Sequence, residues 1–186
     1  MNSAVLNGLS AMTTVNTYVD PILLDLTGQG VSMTGIEDPV LFDVDHSGVL
    51  KRTGWADSKT GILVVDDGSG QITNASQFLS EYYGGKAGAN GVSGQMPFKN
   101  AFDALKSIDS NQDGVIDRDD AIWNTLKVWV DANHDGKCDA GELKTLDELG
   151  ITQIHIKPTS VASGQIVNGN EVIRTIAPTC KMPIYR

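Results

Sequence analysis

The sequence predicts an α+β fold in which three helices, separated by two acidic loops, pack with short strands and hairpins. Three observations carry that expectation. Two loops of one pattern stand back to back between Asp109 and Glu142. Apolar residues recur at helical spacing before, between and after them. Short apolar runs bounded by Gly, Pro and Asx turns fill much of the remaining chain.

Residues 1–19 are small and polar, rich in Ser, Thr and Asn, and read as a flexible lead-in. They contain no basic n-region and no continuous apolar core, so they are not expected to act as a signal peptide. The chain is expected either to be part of something longer or to be exported without a cleaved leader. Asp20-Pro21 follows, and then the apolar strand Ile22–Leu26 runs into a Gly-rich turn. That turn resembles a cation loop with Thr27 and Gln29 where Asp would be expected; Asp25 heads it. A second acidic turn, Asp43-Val-Asp45-His46-Ser47-Gly48, has oxygens at positions 1, 3 and 5 and glycine at 6. Its position 12 is Gly54, so it lacks a closing carboxylate unless a distant group such as Asp25 completes it. A plain turn is an equal reading. Gly61–Val65 reads as a strand, Asp66–Gly70 as an eroded loop, and Gly84–Gln95 as a Gly-rich surface loop.

The two full loops follow. In the first, Asp109, Asn111, Asp113, Asp117 and Asp120 fall at positions 1, 3, 5, 9 and 12, with Gly114 at 6. In the second, Asp131, Asn133, Asp135, Asp139 and Glu142 fall at the same positions, with Gly136 at 6. Position 7, Val115 or Lys137, offers a backbone carbonyl. This is the EF-hand spacing. Ca2+ is a hard cation that takes six to eight oxygens, and a short loop must wrap around it to supply them. Glu142 is long enough to chelate with both oxygens; Asp120 is one methylene shorter. The apolar residues at position 8, Ile116 and Cys138, face inward.

The loops start 22 residues apart, which leaves room for one shared helix. Ala121, Ile122, Leu126, Trp129 and Val130 give that helix an apolar face. Phe98, Ala101, Phe102, Leu105 and Ile108 predict a helix before it. Leu143, Leu146 and Leu149 predict one after it, stopped by Gly150. The expected unit is therefore EF-hand-like: helix–loop–helix–loop–helix, with calcium clamping it. Downstream, Ile151–Lys157 alternates as a strand, and Asn168-Gly169 marks a hairpin.

The chain has 186 residues and a net charge of −9, which disfavours nucleic acid and anionic membranes. No apolar run reaches the roughly 20 residues of a membrane span. Two cysteines make a disulfide framework improbable. His46 and His134, at position 4 of acidic loops, are expected to face solvent, as is His155 on its strand. No HExxH, P-loop, GxSxG or GxGxxG is present.

An ordered set of residues resembles a known family. It comprises Asp20-Pro21-Ile-Leu-Leu-Asp25, Leu41-Phe42-Asp43-x-Asp45-x-x-Gly48, Thr53-Gly54-Trp55 and Gly61-Ile-Leu-Val. It continues with Ala101-Phe102, Val128-Trp129-x-Asp131 and Glu148-Leu149-Gly150. In that order the set resembles the self-processing module of FrpC-like RTX proteins, which Gram-negative bacteria secrete. The resemblance implies calcium-dependent autocleavage of Asp20-Pro21, with Asp20 as nucleophile and acyl donor and Pro21 as leaving group. It also implies transfer of the new aspartyl end to a lysine on an acceptor protein, giving an isopeptide cross-link. Residues 1–20 then precede the cut. Residues 21–186 form the module: a mixed part (21–95), the tandem loops (96–150), and a hairpin and tail (151–186). A monomer is expected. The competing expectation is a non-enzymatic calcium-binding module of a secreted toxin or effector. Asp38-Pro39 is a second Asp-Pro bond, read as a turn.

Overall fold

The computed structural model describes residues 19–157 throughout, together with the backbone of strands within 165–180. Residues 1–18 of the expected lead-in (1–19) and the Asn168-Gly169 turn lie outside the described residues. The elements in order are β1 (Leu23–Asp25), β2 (Val40–Phe42), β3 (Lys51–Thr53), β4 (Thr60–Val65), a 3₁₀ turn (Ala75–Gln77), α1 (Ala101–Ser107), β5 (Val115–Ile116), β6 (Leu126–Trp129), β7 (Leu143–Thr145), β8 (Ile151–His155), β9 (Gln165–Val167), β10 (Asn170–Val172) and β11 (Pro178–Cys180).

The central element is an antiparallel sheet in the order β1-β4-β6-β7. β4 is Thr-Gly-Ile-Leu-Val-Val, apolar on both sides, and a run of that kind is stable only when both sheet faces are covered. They are. Leu24, Leu63, Leu126 and Val128 face a core completed by α1 and by Ile116, Ile151 and Ile154. Ile62, Val64 and Trp129 face a second core built from Val40, Phe42, Trp55 and Phe78. In that second core Phe42 stacks on Phe78 with centroids 5.2 Å apart, and Trp55 meets Trp129 edge-on at 5.4 Å. β5, β8 and β11 form a small sheet, and β2 pairs with β3. β9 and β10 pair antiparallel, as the hairpin signal predicts.

The expected helix–loop–helix–loop–helix unit is not what forms. Of its three helices, only the first exists among the described residues. Asn100 caps α1, its side-chain oxygen accepting from the amides of Phe102 and Asp103 at 2.9 and 3.0 Å. The segment expected as the shared helix is a turn over 121–125 followed by β6. Its apolar residues satisfy a strand buried on both faces: Leu126 and Val128 enter one core, Trp129 the other. A short apolar run fits either period, and Val128, Trp129 and Val130 are better strand formers than helix formers. The third expected helix is β7, with Leu143 opposite Trp129, followed by a turn closed by Ile151 N donating to Leu146 O at 2.9 Å. The fold is therefore mostly β: the first acidic loop follows α1, and the second lies between β6 and β7.

Among the described residues no helix is long and apolar enough to cross a membrane.

Candidate functional site

The residues singled out in the sequence fall at two loci: the acidic loops, and the Asp20-Pro21 bond.

The two full loops share one backbone path. At position 1, Asp109 Oδ2 accepts from Gly114 N at 2.9 Å, and Asp131 Oδ2 accepts from Gly136 N at 2.9 Å. At position 3, Asn111 and Asn133 accept from the amides of Asp113 and Asp135 at 3.1 and 3.2 Å. At position 5, Asp113 and Asp135 accept from Val115 N and Lys137 N. The closing carboxylates repeat as well. Asp120 accepts from Ser110 N (2.6 Å) and Asp117 N (3.0 Å), and Glu142 accepts from Ala132 N (2.9 Å) and Asp139 N (3.1 Å). Position 4 is left-handed in both loops, Gln112 at φ +61° and His134 at +59°, and so is the glycine at position 6, at +88° and +71°. Asp139 also accepts from Asn133 Nδ2 at 3.0 Å.

Burial sets the electrostatics. Asp109, Asp120, Asp131 and Glu142 are all buried. Among the described residues none of the four has a Lys, Arg or His ion-pair partner. Burial works to raise Asp120, but amide hydrogen bonds from Asp117 and Ser110 outweigh it and hold the carboxyl below its ordinary value. Burial pushes Asp131 up against the amides of Gly136 and Asp135, and the Glu142 charge adds to it. Asp109 Oδ1 is buried with no partner. Among the described residues no three His, Cys, Asp or Glu side chains converge as a ready metal cluster. The donor set nonetheless fits a hard cation. Buried carboxylates without a counter-charge are costly, and carboxylate, Asn and carbonyl oxygens are what Ca2+ takes.

Two of the other acidic turns, headed by Asp43 and Asp25, keep part of this geometry. Asp43 accepts from Ser47 N at 2.8 Å and Gly48 N at 3.0 Å, with His46 at φ +52°. Asp45, fully buried, turns instead to Lys51 Nζ and to Ser93 Oγ at 2.6 Å. Burial raises Asp45, and those two partners more than reverse it. Lys51 thus brings a positive charge to this turn from within the chain. The Gly-rich loop covers it, Gly94 N donating to Asp45 O and Gly88 N to His46 O, both at 2.8 Å. Asp25 heads its own turn, accepting from Thr27 N (2.9 Å), Gly28 N (3.0 Å) and Gly30 N (2.6 Å). Burial raises it, and those amides outweigh the burial. His46 and His134 are half-buried rather than solvent-facing, with His46 Nδ1 and His134 Nε2 buried and unpartnered.

The Asp20-Pro21 bond is held on both sides. Downstream, Ile22 N donates to Leu79 O at 3.0 Å, and Ile22 O accepts from Leu63 N at 2.9 Å. Upstream, Asp20 N donates to Glu81 Oε2 at 3.0 Å, and Asp20 Oδ2 accepts from Ala101 N at 3.4 Å. Asp20 and Glu81 line an open cleft of about 590 Å³ with Met96, Phe98, Lys99 and Phe102. Glu81 is buried, and burial lifts its carboxyl above the ordinary value; the Asp20 charge adds to this, while the Asp20 amide opposes it. Sequence reasoning missed Glu81. It is a single acid inside Phe78–Tyr83, and no spacing ties it to Asp20, 61 residues away. Asp38, by contrast, is an exposed turn residue whose amide donates to Gly35 O at 3.1 Å.

Comparison with known proteins assigns the chain. The family profile described as the SPM domain matches residues 22–179. The iron-regulated protein FrpA of Neisseria meningitidis serogroup C is 36% identical over 155 residues. That match covers 81% of this chain and 13% of the relative, so the chain spans a small part of that protein's length. The profile and the relative together show that this chain belongs to the SPM domain family and is related to FrpA.

Proposed function

We propose that this chain is a calcium-dependent autocatalytic module that cuts its own Asp20-Pro21 bond through an aspartyl anhydride, with transfer of the aspartyl end to a lysine amine on an acceptor protein. The observation that carries this reading is the clamping of that one bond. Asp20 is held from Glu81 and Ala101, Ile22 is held from Leu79 and Leu63, and the family match begins at Ile22.

The chemistry uses the chain's own groups. The Asp20 carboxylate lies one methylene from its own main-chain carbonyl. Its attack closes a five-membered ring, and proximity replaces an external nucleophile. A C–O bond forms and the C–N bond to Pro21 breaks. The electron pair goes to the proline nitrogen, which takes up a proton and leaves as a secondary amine. The anhydride then opens to water, giving a free Asp20 terminus, or to a lysine amine, giving an isopeptide bond. Asp109, Asn111, Asp113, Val115, Asp117 and Asp120 would hold one calcium ion, and Asp131, Asn133, Asp135, Lys137, Asp139 and Glu142 a second. Bound calcium supplies the counter-charge that lets these buried carboxylates fold. Residues 1–20 are the released segment and 21–186 the module, within a secreted bacterial protein.

Mass spectrometry tests this. After incubation with calcium, loss of the first 20 residues and a new terminus at Pro21 support the reading. Intact protein after days in calcium overturns it and leaves a calcium-binding module without enzymatic activity.

A further inference from the structure

The cleavage chemistry requires a proton at the Pro21 nitrogen, and nothing on the Asp20 side chain supplies it. The attacking group must be a carboxylate, so it arrives without a proton. The nitrogen leaves as an amine, so it must gain one. A donor must therefore sit beside the bond and still carry its proton when Asp20 has lost its own.

Glu81 meets both conditions. Glu81 Oε2 lies 3.0 Å from the Asp20 amide nitrogen. Backbone geometry keeps that nitrogen within about 3.7 Å of the Pro21 nitrogen, whatever the value of ψ. Glu81 is only 8% exposed, and its carboxyl opens onto the same cleft as Asp20. Its main chain is fixed as well, with Glu81 O accepting from Phe98 N at 3.3 Å. The ionisable groups around it are Asp20, Lys99 across the cleft and the neighbouring Tyr82 phenol. Burial and the Asp20 charge both favour the protonated acid.

We propose that Glu81 is the general acid of the Asp20-Pro21 scission. This rests on the cleavage reading above. As the Asp20 Oδ–C bond forms and the C–N bond breaks, the Glu81 carboxyl gives its proton to the Pro21 nitrogen and is left as a carboxylate. In the second stage that carboxylate takes a proton from the water that opens the anhydride, which restores the acid.

The test uses the full chain with calcium and follows cleavage by mass. Glu81→Gln keeps an oxygen to accept from the Asp20 amide but has no proton to give. Its cleavage is expected to slow by at least about 100-fold, the usual contribution of a general acid, with the calcium-bound circular dichroism spectrum unchanged. The wild-type rate should rise with pH as Asp20 ionises and fall again as Glu81 does, and Glu81→Gln should lose the alkaline fall. Calcium binding strengthens as carboxylates ionise, so the ion cannot cause that fall. A folded Glu81→Gln that cleaves as fast as wild type overturns the assignment. Should Glu81→Gln not fold, Glu81→Asp and the wild-type profile decide, and a wild-type rate with no alkaline fall overturns it. If wild type is cut and Asp20→Asn is inert while Glu81→Gln runs at full speed, only the Glu81 assignment falls. If wild type is never cut, the cleavage reading falls and takes the assignment with it.

Discussion

Trp129 Nε1 donates to Glu142 Oε2 at 3.4 Å, joining the buried aromatic cluster to the closing carboxylate of the second acidic loop. Trp129 packs on Phe42 and Trp55 at centroid distances of 5.6 and 5.4 Å, so a change at Glu142 is felt in the core. Tryptophan emission should therefore report filling of the second loop. Glu142→Gln replaces one carboxylate oxygen with an NH2 facing the amides of Ala132 and Asp139, which already donate. Calcium affinity read by fluorescence titration should fall at least about tenfold. An unchanged titration would detach Glu142 from the ion.

Removing the metal should unfold the loop region. Nine carboxylates lie between Asp109 and Glu142, and four of them are buried. Without a cation their repulsion and desolvation oppose compaction. Because α1 is the one α-helix among the described residues, chelation should erase mostly β signal in far-ultraviolet circular dichroism. The same spectrum and melting temperature in excess chelator would show that the loops need no ion to fold.

The acidic loops were legible as spacing, but of the three helices expected around them only α1 forms among the described residues, and the reason is physical. Position 1, 6 and 12 contacts are local, so Asp109–Gly114 and Asp131–Gly136 follow from the pattern alone. The segment from Ala121 to Val130 is too short for periodicity to decide, and its partner β4 lies some 60 residues upstream. Burial on both sheet faces then selects the strand. The β1 and β4 strands, the α1 helix and the β9–β10 pairing were all legible from composition and punctuation. Glu81 was not, because it meets Asp20 only through the tertiary fold, 61 residues away; Lys51 was not, because its pairing with Asp45 depends on the β2–β3 hairpin rather than on the loop spacing.

Gly136 and Gly114 occupy the same loop position but should tolerate alanine differently. At Gly114 a Cβ meets nothing within 4 Å, so Gly114→Ala adds only the strain of φ +88°, roughly 1 kcal/mol. At Gly136 a Cβ would lie 2.5 Å from Val40 Cγ1 and 2.8 Å from Leu41 O, because the second loop docks on β2. The backbone oxygen cannot step aside. Gly136→Ala should cost about 2–4 kcal/mol in urea unfolding with calcium present. Equal losses at the two sites would mean that the loop does not press on β2.

Glu81 gives the fold a pH signature separate from activity. Its carboxyl is raised in the folded state, so the folded protein holds that proton to higher pH than the unfolded chain. Its contribution is full below the ordinary Glu value of 4.5 and is lost as pH rises through the elevated folded value. Glu81→Gln removes the ionisation. The variant should melt a few degrees above wild type near neutral pH, and the gap should close as pH falls toward the ordinary value. A gap that is constant with pH would show that Glu81 ionises as freely in the fold as outside it.

The bond itself is the last test. Asp20→Asn removes the attacking carboxylate and should abolish cleavage while leaving Asp20's backbone contact to Glu81 in place. Asp20→Glu should slow it greatly, since a six-membered ring closes less readily than a five-membered one. Pro21→Ala should also slow it, because a secondary amide breaks less easily than the tertiary amide that proline makes. Asp38→Asn should leave the rate unchanged: Asp38 is exposed in a turn, away from the clamp that Glu81, Ala101, Leu79 and Leu63 form around residues 20–22. Lysine added in excess should divert part of the product to an Asp20 amide, detected as the mass of the released segment plus lysine less water. Cleavage that persists in Asp20→Asn would rule out the anhydride even with the site correct, and cleavage lost in Asp38→Asn would move the site.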